Sequence, residues 1–176
     1  WARELERKED EYPFELWEKF GKGGFHGLGI PEEYGGSGGD VLMQVIAARA
    51  MARTLAGLAW LWGINQFAGV KSLTLHGTEA QKRKYLPKLA TGEFIGCFGL
   101  TEPNHGSDPG SMATRARTVA GGYALTGSKM WISNSPIADV FVVWAKTDDG
   151  VIRGFVLEKG MKGLSAPKIE GKLSLR

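Results

Sequence analysis

Near Glu93 the spacing of apolar residues switches from the period of a helix to that of a strand. Before that point the pattern is helical. Pro13 fits the first helical turn, where its missing N–H costs nothing, and Phe14, Leu16, Trp17 and Phe20 follow until Gly21 ends the run. "GIPEEYGGSGG" (29–39) holds too many glycines for a helix interior and reads as a loop. Asp40 is placed to N-cap a helix running to about Leu55, with Val41, Val45, Ala48, Met51, Ala52 and Leu55 at helical spacing. A more apolar helix is expected over 59–75, where Trp60, Ile64, Phe67, Val70 and Leu73 imply burial on more than one side. Gly77 stops it. Thr78 and Gln81 have capping-box spacing for a last helix, which Pro87 is expected to interrupt.

After Glu93 the runs are short and rich in β-branched and aromatic residues: "GYALTGSKMWIS", "DVFVVWAK" and "IRGFVLEK". "AGG" (120–122), "DDG" (148–150) and "KGMKG" (159–163) separate them as turns. The expected fold class is therefore α+β, an all-α unit over residues 1–94 followed by antiparallel strands over 95–176.

Several function classes fall away on composition. The net charge is +3 and charged residues make up 23% of the chain, an ordinary balance for a soluble protein. Its one basic triplet, Lys82-Arg83-Lys84, lacks interleaved aromatics, so no nucleic-acid partner is expected. Cys97 is the single cysteine, which excludes an internal disulfide, fits a reducing compartment, and sits among apolar neighbours that quiet a thiol. His26, His76 and His105 are too scattered for a metal site. The longest apolar stretch, residues 55–64, is too short to cross a bilayer, so no membrane insertion is expected. The chain opens on Trp1 and stops at Arg176 without a closing element, the pattern of a fragment of something longer.

Two stretches are candidates for holding a ligand. "GLTEPNHGSDPGS" (99–111) holds three glycines and three hydroxyl side chains, which lets backbone groups approach a planar or anionic ligand. In "KMWISNS" (129–135), a strand would point Trp131 and Ser133 to one face, a flat surface beside a hydroxyl donor. On chemistry alone, core packing is the commoner explanation of such a pair. Glu102 and Asp108 read as loop-fixing and turn residues rather than catalytic groups.

"GLTEPNHGSD" followed by "WIS" resembles the flavin-binding pair of the acyl-CoA dehydrogenase family. "IPEEYGGSGGD" and "HGTEAQKRKYLPKLATGE" resemble two landmarks of that family's N-terminal helical domain, in the expected order. Residues 77–176 look most like glutaryl-CoA dehydrogenases. The resemblance implies a helical domain, a middle β-barrel that is incomplete here, and a C-terminal helical domain that is absent. It implies FAD as cofactor, held by Phe98, Leu100, Thr101, Gly106, Ser107, Trp131, Ile132 and Ser133. Ser107 would also meet the acyl-CoA, Trp131 would pack on the isoalloxazine, and Ser133 would donate to flavin N5, where many relatives carry threonine.

The implied activity is α,β-dehydrogenation of a glutaryl-type or short-chain acyl-CoA, with hydride passing to N5. The base would be a glutamate beyond Arg176, so no catalytic residue is expected in this chain and no turnover by it alone. The implied partners are acyl-CoA, an electron-transfer flavoprotein as acceptor, and copies of the same chain in a tetramer. The location is cytoplasmic if bacterial and the mitochondrial matrix if eukaryotic. An acyl-CoA oxidase-like flavoenzyme and a non-catalytic flavin- or acyl-CoA-binding fragment remain as alternatives. Where glutaryl members carry an Arg-Ser pair for the distal carboxylate, an ungapped count places Ala59-Trp60, which favours an uncharged acyl chain. Arg53 is the nearest possible substitute. Loss of a helical domain is expected to expose apolar surface around Trp60 and Trp62 and to favour aggregation.

Overall fold

A computed structural model of the chain describes residues 12–53 and 56–172, so Trp1, Leu55 and Arg176 lie outside the described residues. Helix α1 (Phe14–Lys22) starts at Pro13, whose carbonyl accepts from the N–H groups of Leu16 and Trp17, both at 3.0 Å. Gly21 does not end it. Helix α1 crosses the end of a later helix there, and a Cβ on Gly21 would meet the Thr91 carbonyl. Helix α2 (Val41–Ala52) is capped as expected, with Asp40 Oδ1 accepting from the Met43 N–H at 2.8 Å.

The buried face of α2 differs in part from the expected one, keeping Met51 and, beside it, Ala48. It turns Gln44, Ala47 and Met51 inward. Val41 and Val45 are 58% and 50% exposed, alongside Leu42, Met43 and Ile46 at 64%, 49% and 59%. This helix is apolar on nearly every side, so spacing alone could not select the packed stripe. Tertiary contact did: the Gln44 amide packs against Gly29 and donates to the Gly39 carbonyl at 3.4 Å.

The helix expected over 59–75 is one continuous run in three parts: α3 (Ala56–Gly63), a π-helical segment (Ile64–Val70) and α4 (Lys71–His76). The wider π turn brings two polar residues into the interior. Asn65 Oδ1 accepts from the Gly96 N–H at 2.8 Å, and Gln66 Nε2 donates to the His26 carbonyl. Of the two tryptophans expected at exposed surface, Trp60 is 50% exposed and Trp62 is fully buried, donating to the Phe25 carbonyl at 3.1 Å.

Helix α5 (Glu79–Thr91) carries the full Thr78–Gln81 capping box. Pro87 sits inside it rather than interrupting it. An interior proline costs about 3 kcal/mol. Leu86 and Leu89, both at 0% exposure, flank it in the main core, and their burial offsets that cost at about 1.5–3 kcal/mol each. The helix ends at Gly92, φ 78°.

The strands are β1 (Gly96–Gly99), β2 (Arg115–Val119), β3 (Gly122–Thr126), β4 (Val140–Thr147) and β5 (Ile152–Glu158). β4 is the organising strand. It pairs antiparallel with β5 along its length and parallel with β1 (Gly96 opposite Val140) and with β2 (Arg115 opposite Lys146). β2 and β3 form an antiparallel hairpin. The expected antiparallel barrel is thus a mixed, unclosed sheet among the described residues. The hairpins follow the two glycine turns, Gly121 at φ 82° and Gly150 at φ 78°. The parallel pairs need long connections instead, and these connections carry the candidate site. Val140 and Val142 share a core with Val70, Leu73, Tyr85, Leu86 and Leu89, so helices and sheet pack on each other directly.

Candidate functional site

Residues 100–114 connect β1 to β2, and residues 127–139 connect β3 to β4. The first begins with a tight reversal in which Glu102 and His105 exchange backbone hydrogen bonds, both 3.2 Å, around Pro103-Asn104. Gly106 and Ser107 follow on the exposed surface. Asp108 and Ser111 close a 3-10 turn (Pro109–Ser111), with Ser111 Oγ donating to Asp108 Oδ2 at 2.5 Å, which lowers the Asp108 pKa. Met112, 1% exposed, anchors the loop in the interior.

The second connection leaves the sheet at Gly127. Its φ is 152°, and a Cβ there would lie 2.5 Å from Thr114 Oγ1. Residues 127–139 are not strand, so the expected run through "KMWIS" stops at Thr126, and Trp131 and Ser133 do not share a strand face. Trp131 sits at φ 61° and Asn134 at φ 67°. Asparagine tolerates the left-handed region through its short polar side chain; a bulky tryptophan does so only under strain.

A buried ion pair clasps the two connections. Lys129 Nζ donates to Glu102 Oε1 at 2.8 Å and to the Leu100 carbonyl at 3.0 Å, while the Met130 N–H donates to the Thr101 carbonyl at 2.9 Å. Glu102 also accepts from the N–H groups of Ala113 and Thr114, at 2.6 and 3.0 Å, and from the Thr114 hydroxyl. Burial alone would raise the Glu102 pKa. The donors from Lys129, Thr114 and Ala113 outweigh it and hold the carboxyl at about 2. Such a carboxylate is a structural tie, as its sequence context implies.

Beyond the clasp, the second connection lies along α3. Trp60 Nε1 donates to Ser133 Oγ at 3.0 Å, and Asn134 Nδ2 donates to the Leu61 and Gly96 carbonyls at 3.3 and 3.4 Å. Ile132 packs on the cluster of Cys97, Ala138 and Phe141. Trp131 is held outward, 59% exposed. Of the eight cofactor-binding residues expected, Leu100 and Thr101 are thus tied directly to the segment that carries Trp131, Ile132 and Ser133. Phe98 turns its ring edge-on to Trp144, 5.9 Å between centroids, in the core. Lys129 and Asn134 are not among the expected site residues, and Trp60 is expected only with Ala59 at the acyl pocket, not beside Ser133. The sequence signal for Lys129 and Asn134 is slight: they bracket the four residues Met130-Trp131-Ile132-Ser133.

Other candidates carry no chemistry. Cys97 is fully buried, and burial pushes its thiol up to about 12. His26 is buried, which lowers its pKa, with Nε2 2.8 Å from the Trp17 carbonyl. Among the described residues no three metal-ligating side chains gather, and no helix is long and apolar enough to cross a membrane. A cavity of about 560 Å³ lies between α1, the end of α5 and residues 136–139, and none of the expected site residues lines it.

Residues 1–93 match the family description "Acyl-CoA dehydrogenase, N-terminal domain", and residues 97–176 match "Acyl-CoA dehydrogenase, middle domain". The chain is 40% identical to an acyl-CoA dehydrogenase of Bacillus subtilis, over 99% of this chain and 47% of that protein. It is 42% identical to the mitochondrial isovaleryl-CoA dehydrogenase of Arabidopsis thaliana, over 92% of this chain and 40% of that protein. Its fold superposes with a TM-score of 0.88 on a glutaryl-CoA dehydrogenase from Mycobacterium smegmatis in complex with FADH2, at 40% identity over 93% of this chain and 42% of that one. The chain therefore spans about half the length of these relatives. Helical half, sheet half and the two clasped connections all fall within the matched stretches, and the chain belongs to the acyl-CoA dehydrogenase family.

Proposed function

We propose that the two clasped connections cradle FAD, and that the chain contributes this half of an acyl-CoA dehydrogenase acting on an uncharged short acyl-CoA. The observation that carries the reading is Trp131: a large aromatic ring held 59% exposed on a backbone at φ 61°, two residues from a hydroxyl. Strain of this kind persists where the surroundings impose it and a function keeps it. An exposed indole offers a flat face to a heteroaromatic ring. When bound, FAD supplies the hydride acceptor for α,β-dehydrogenation of an acyl thioester. The residues fit that group: Trp131 for its face, Ser133 for a donor at its edge, and Leu100 and Thr101 for its borders, while Phe98 and Ile132, whose side chains pack inward, offer only backbone groups. Gly106 and Ser107, exposed on the first connection, serve the phosphate side and the acyl-CoA.

The general base is assigned to a part of the protein outside these residues. Glu102 has its oxygens filled by donors and Asp108 is bonded to Ser111, so neither is free to take an α-proton. Electron-transfer flavoprotein as acceptor and assembly into a tetramer belong to the same proposal.

Substrate class follows from α3. A glutaryl group needs a cation for its distal carboxylate. Ala59 and Trp60 provide none, and Arg53 stands exposed at the end of α2. A short straight-chain acyl-CoA is expected to perturb the visible band of the FAD-loaded protein at a concentration at least about tenfold below that needed for glutaryl-CoA, a difference of about 1.4 kcal/mol. The reverse order would overturn the uncharged assignment, and no perturbation by either would overturn the acyl-CoA reading.

A further inference from the structure

Serine in place of threonine at the donor position raises a physical question about how its hydroxyl is aimed. Threonine is β-branched and stiff at χ1; serine is not. A serine near a ligand edge needs something else to select its rotamer. The structure contains such a device. Trp60 Nε1 lies 3.0 Å from Ser133 Oγ, although 73 residues separate the two. An indole nitrogen only donates, so the direction of this bond is fixed: Ser133 accepts, and its own proton is left to donate elsewhere.

The backbone under Ser133 is held by the same helix. The next residue in α3, Leu61, offers its carbonyl to Asn134 Nδ2 at 3.3 Å, so α3 grips the loop at consecutive positions. Trp60 also stands apart from its neighbour. Trp62 is buried completely, whereas Trp60 is half-exposed.

We propose that Trp60 is a positioning residue: its N–H fixes the Ser133 hydroxyl so that the hydroxyl proton faces the flavin edge. The inference rests on the flavin-cradle reading and adds to it a residue from the helical half of the chain. Trp60 does not touch the reacting atoms in this arrangement; it acts through Ser133. Threonine at 133 would carry its own rotamer preference and would depend on Trp60 much less.

The test uses the chain loaded with FAD, with Trp60→Phe, Ser133→Ala, Ser133→Thr and the double variant Trp60→Phe/Ser133→Thr. Three quantities are read: the visible band and the midpoint potential of the bound flavin, and, without flavin, the Trp60 indole N–H resonance by NMR. Trp60→Phe is expected to keep FAD affinity within about threefold, a change under 1 kcal/mol. It should shift band and potential in the same direction as Ser133→Ala. The double variant with threonine should recover at least half of the shift, which loss of packing alone would not permit. In the apo chain, Ser133→Ala should move the Trp60 indole resonance. A shifted band in Ser133→Ala beside an unchanged band in Trp60→Phe would overturn this inference alone. An unchanged band in Ser133→Ala, or no saturable FAD binding, would overturn the cradle reading and this inference with it.

Discussion

Replacing Lys129 by methionine is expected to lower the thermal midpoint by about 10 °C. Glu102 and Lys129 are 4% and 10% exposed, and each is satisfied almost wholly by the other and by backbone groups. Removing one partner of a buried ion pair leaves an uncompensated charge, which costs about 3–5 kcal/mol, and in a chain of this size each kcal/mol moves the midpoint by about 2–4 °C. Adding Glu102→Gln should restore roughly half of that loss, since it removes the orphaned charge while keeping a polar group for Thr114. The clasp is also the most acid-sensitive element of the site. Glu102 is held at about 2, below its unfolded value of 4.5, and so contributes stability that is complete above that unfolded value. The contribution, about 3 kcal/mol, is lost as pH falls from about 4.5 to about 2. Acid titrations of the native chain and of Lys129→Met, followed by near-ultraviolet circular dichroism, should show a smaller loss in the second, where only the Thr114 and Ala113 donors remain. A midpoint change under about 3 °C in Lys129→Met would remove the clasp from the account.

The second large effect falls on binding and not on stability. Trp131→Gly should not lower the thermal midpoint, because glycine adopts φ 61° freely and little packing is lost from a side chain 59% exposed. The same change should weaken FAD binding by about tenfold or more, the equivalent of at least 1.4 kcal/mol of lost stacking. A residue kept for packing would show the reverse, with lower stability and unaltered binding. Thermal melts of the apo chain and flavin titrations of the same preparations decide between them.

Legibility in the sequence followed the range of the interaction. The Asp40 cap and the Thr78–Gln81 capping box use residues three apart, and both were readable. The hairpin turns at Gly121 and Gly150 were readable for the same reason. The helical-then-strand order was set by apolar period. Pro87 was misread because the burial of Leu86 and Leu89 that offsets it is tertiary. The packed stripe of α2 was misread in part because apolar residues surround the helix. The parallel pairing of β4 with β1 and β2 depends on long connections, which no local period encodes.

The candidate site divides in the same way. Glycine and hydroxyl content marked the first connection, an aromatic beside a hydroxyl marked the second, and family resemblance covered both. Geometry did not: Trp131 and Ser133 lie in an irregular loop, not along a strand. Both groups that hold the site in place are long-range, Lys129 on Glu102 across 27 residues and Trp60 on Ser133 across 73. An isolated lysine or tryptophan carries no sign of a partner so distant.

Equilibrium titration of the 176-residue chain with FAD, followed in the flavin's visible absorbance and in tryptophan emission, tests the cradle most directly. Saturable one-to-one binding is expected, with a displaced flavin band and quenching that is reduced in both Trp60→Phe and Trp131→Gly. A chain that keeps its circular dichroism while the flavin spectrum stays that of free FAD at every protein concentration would contradict it.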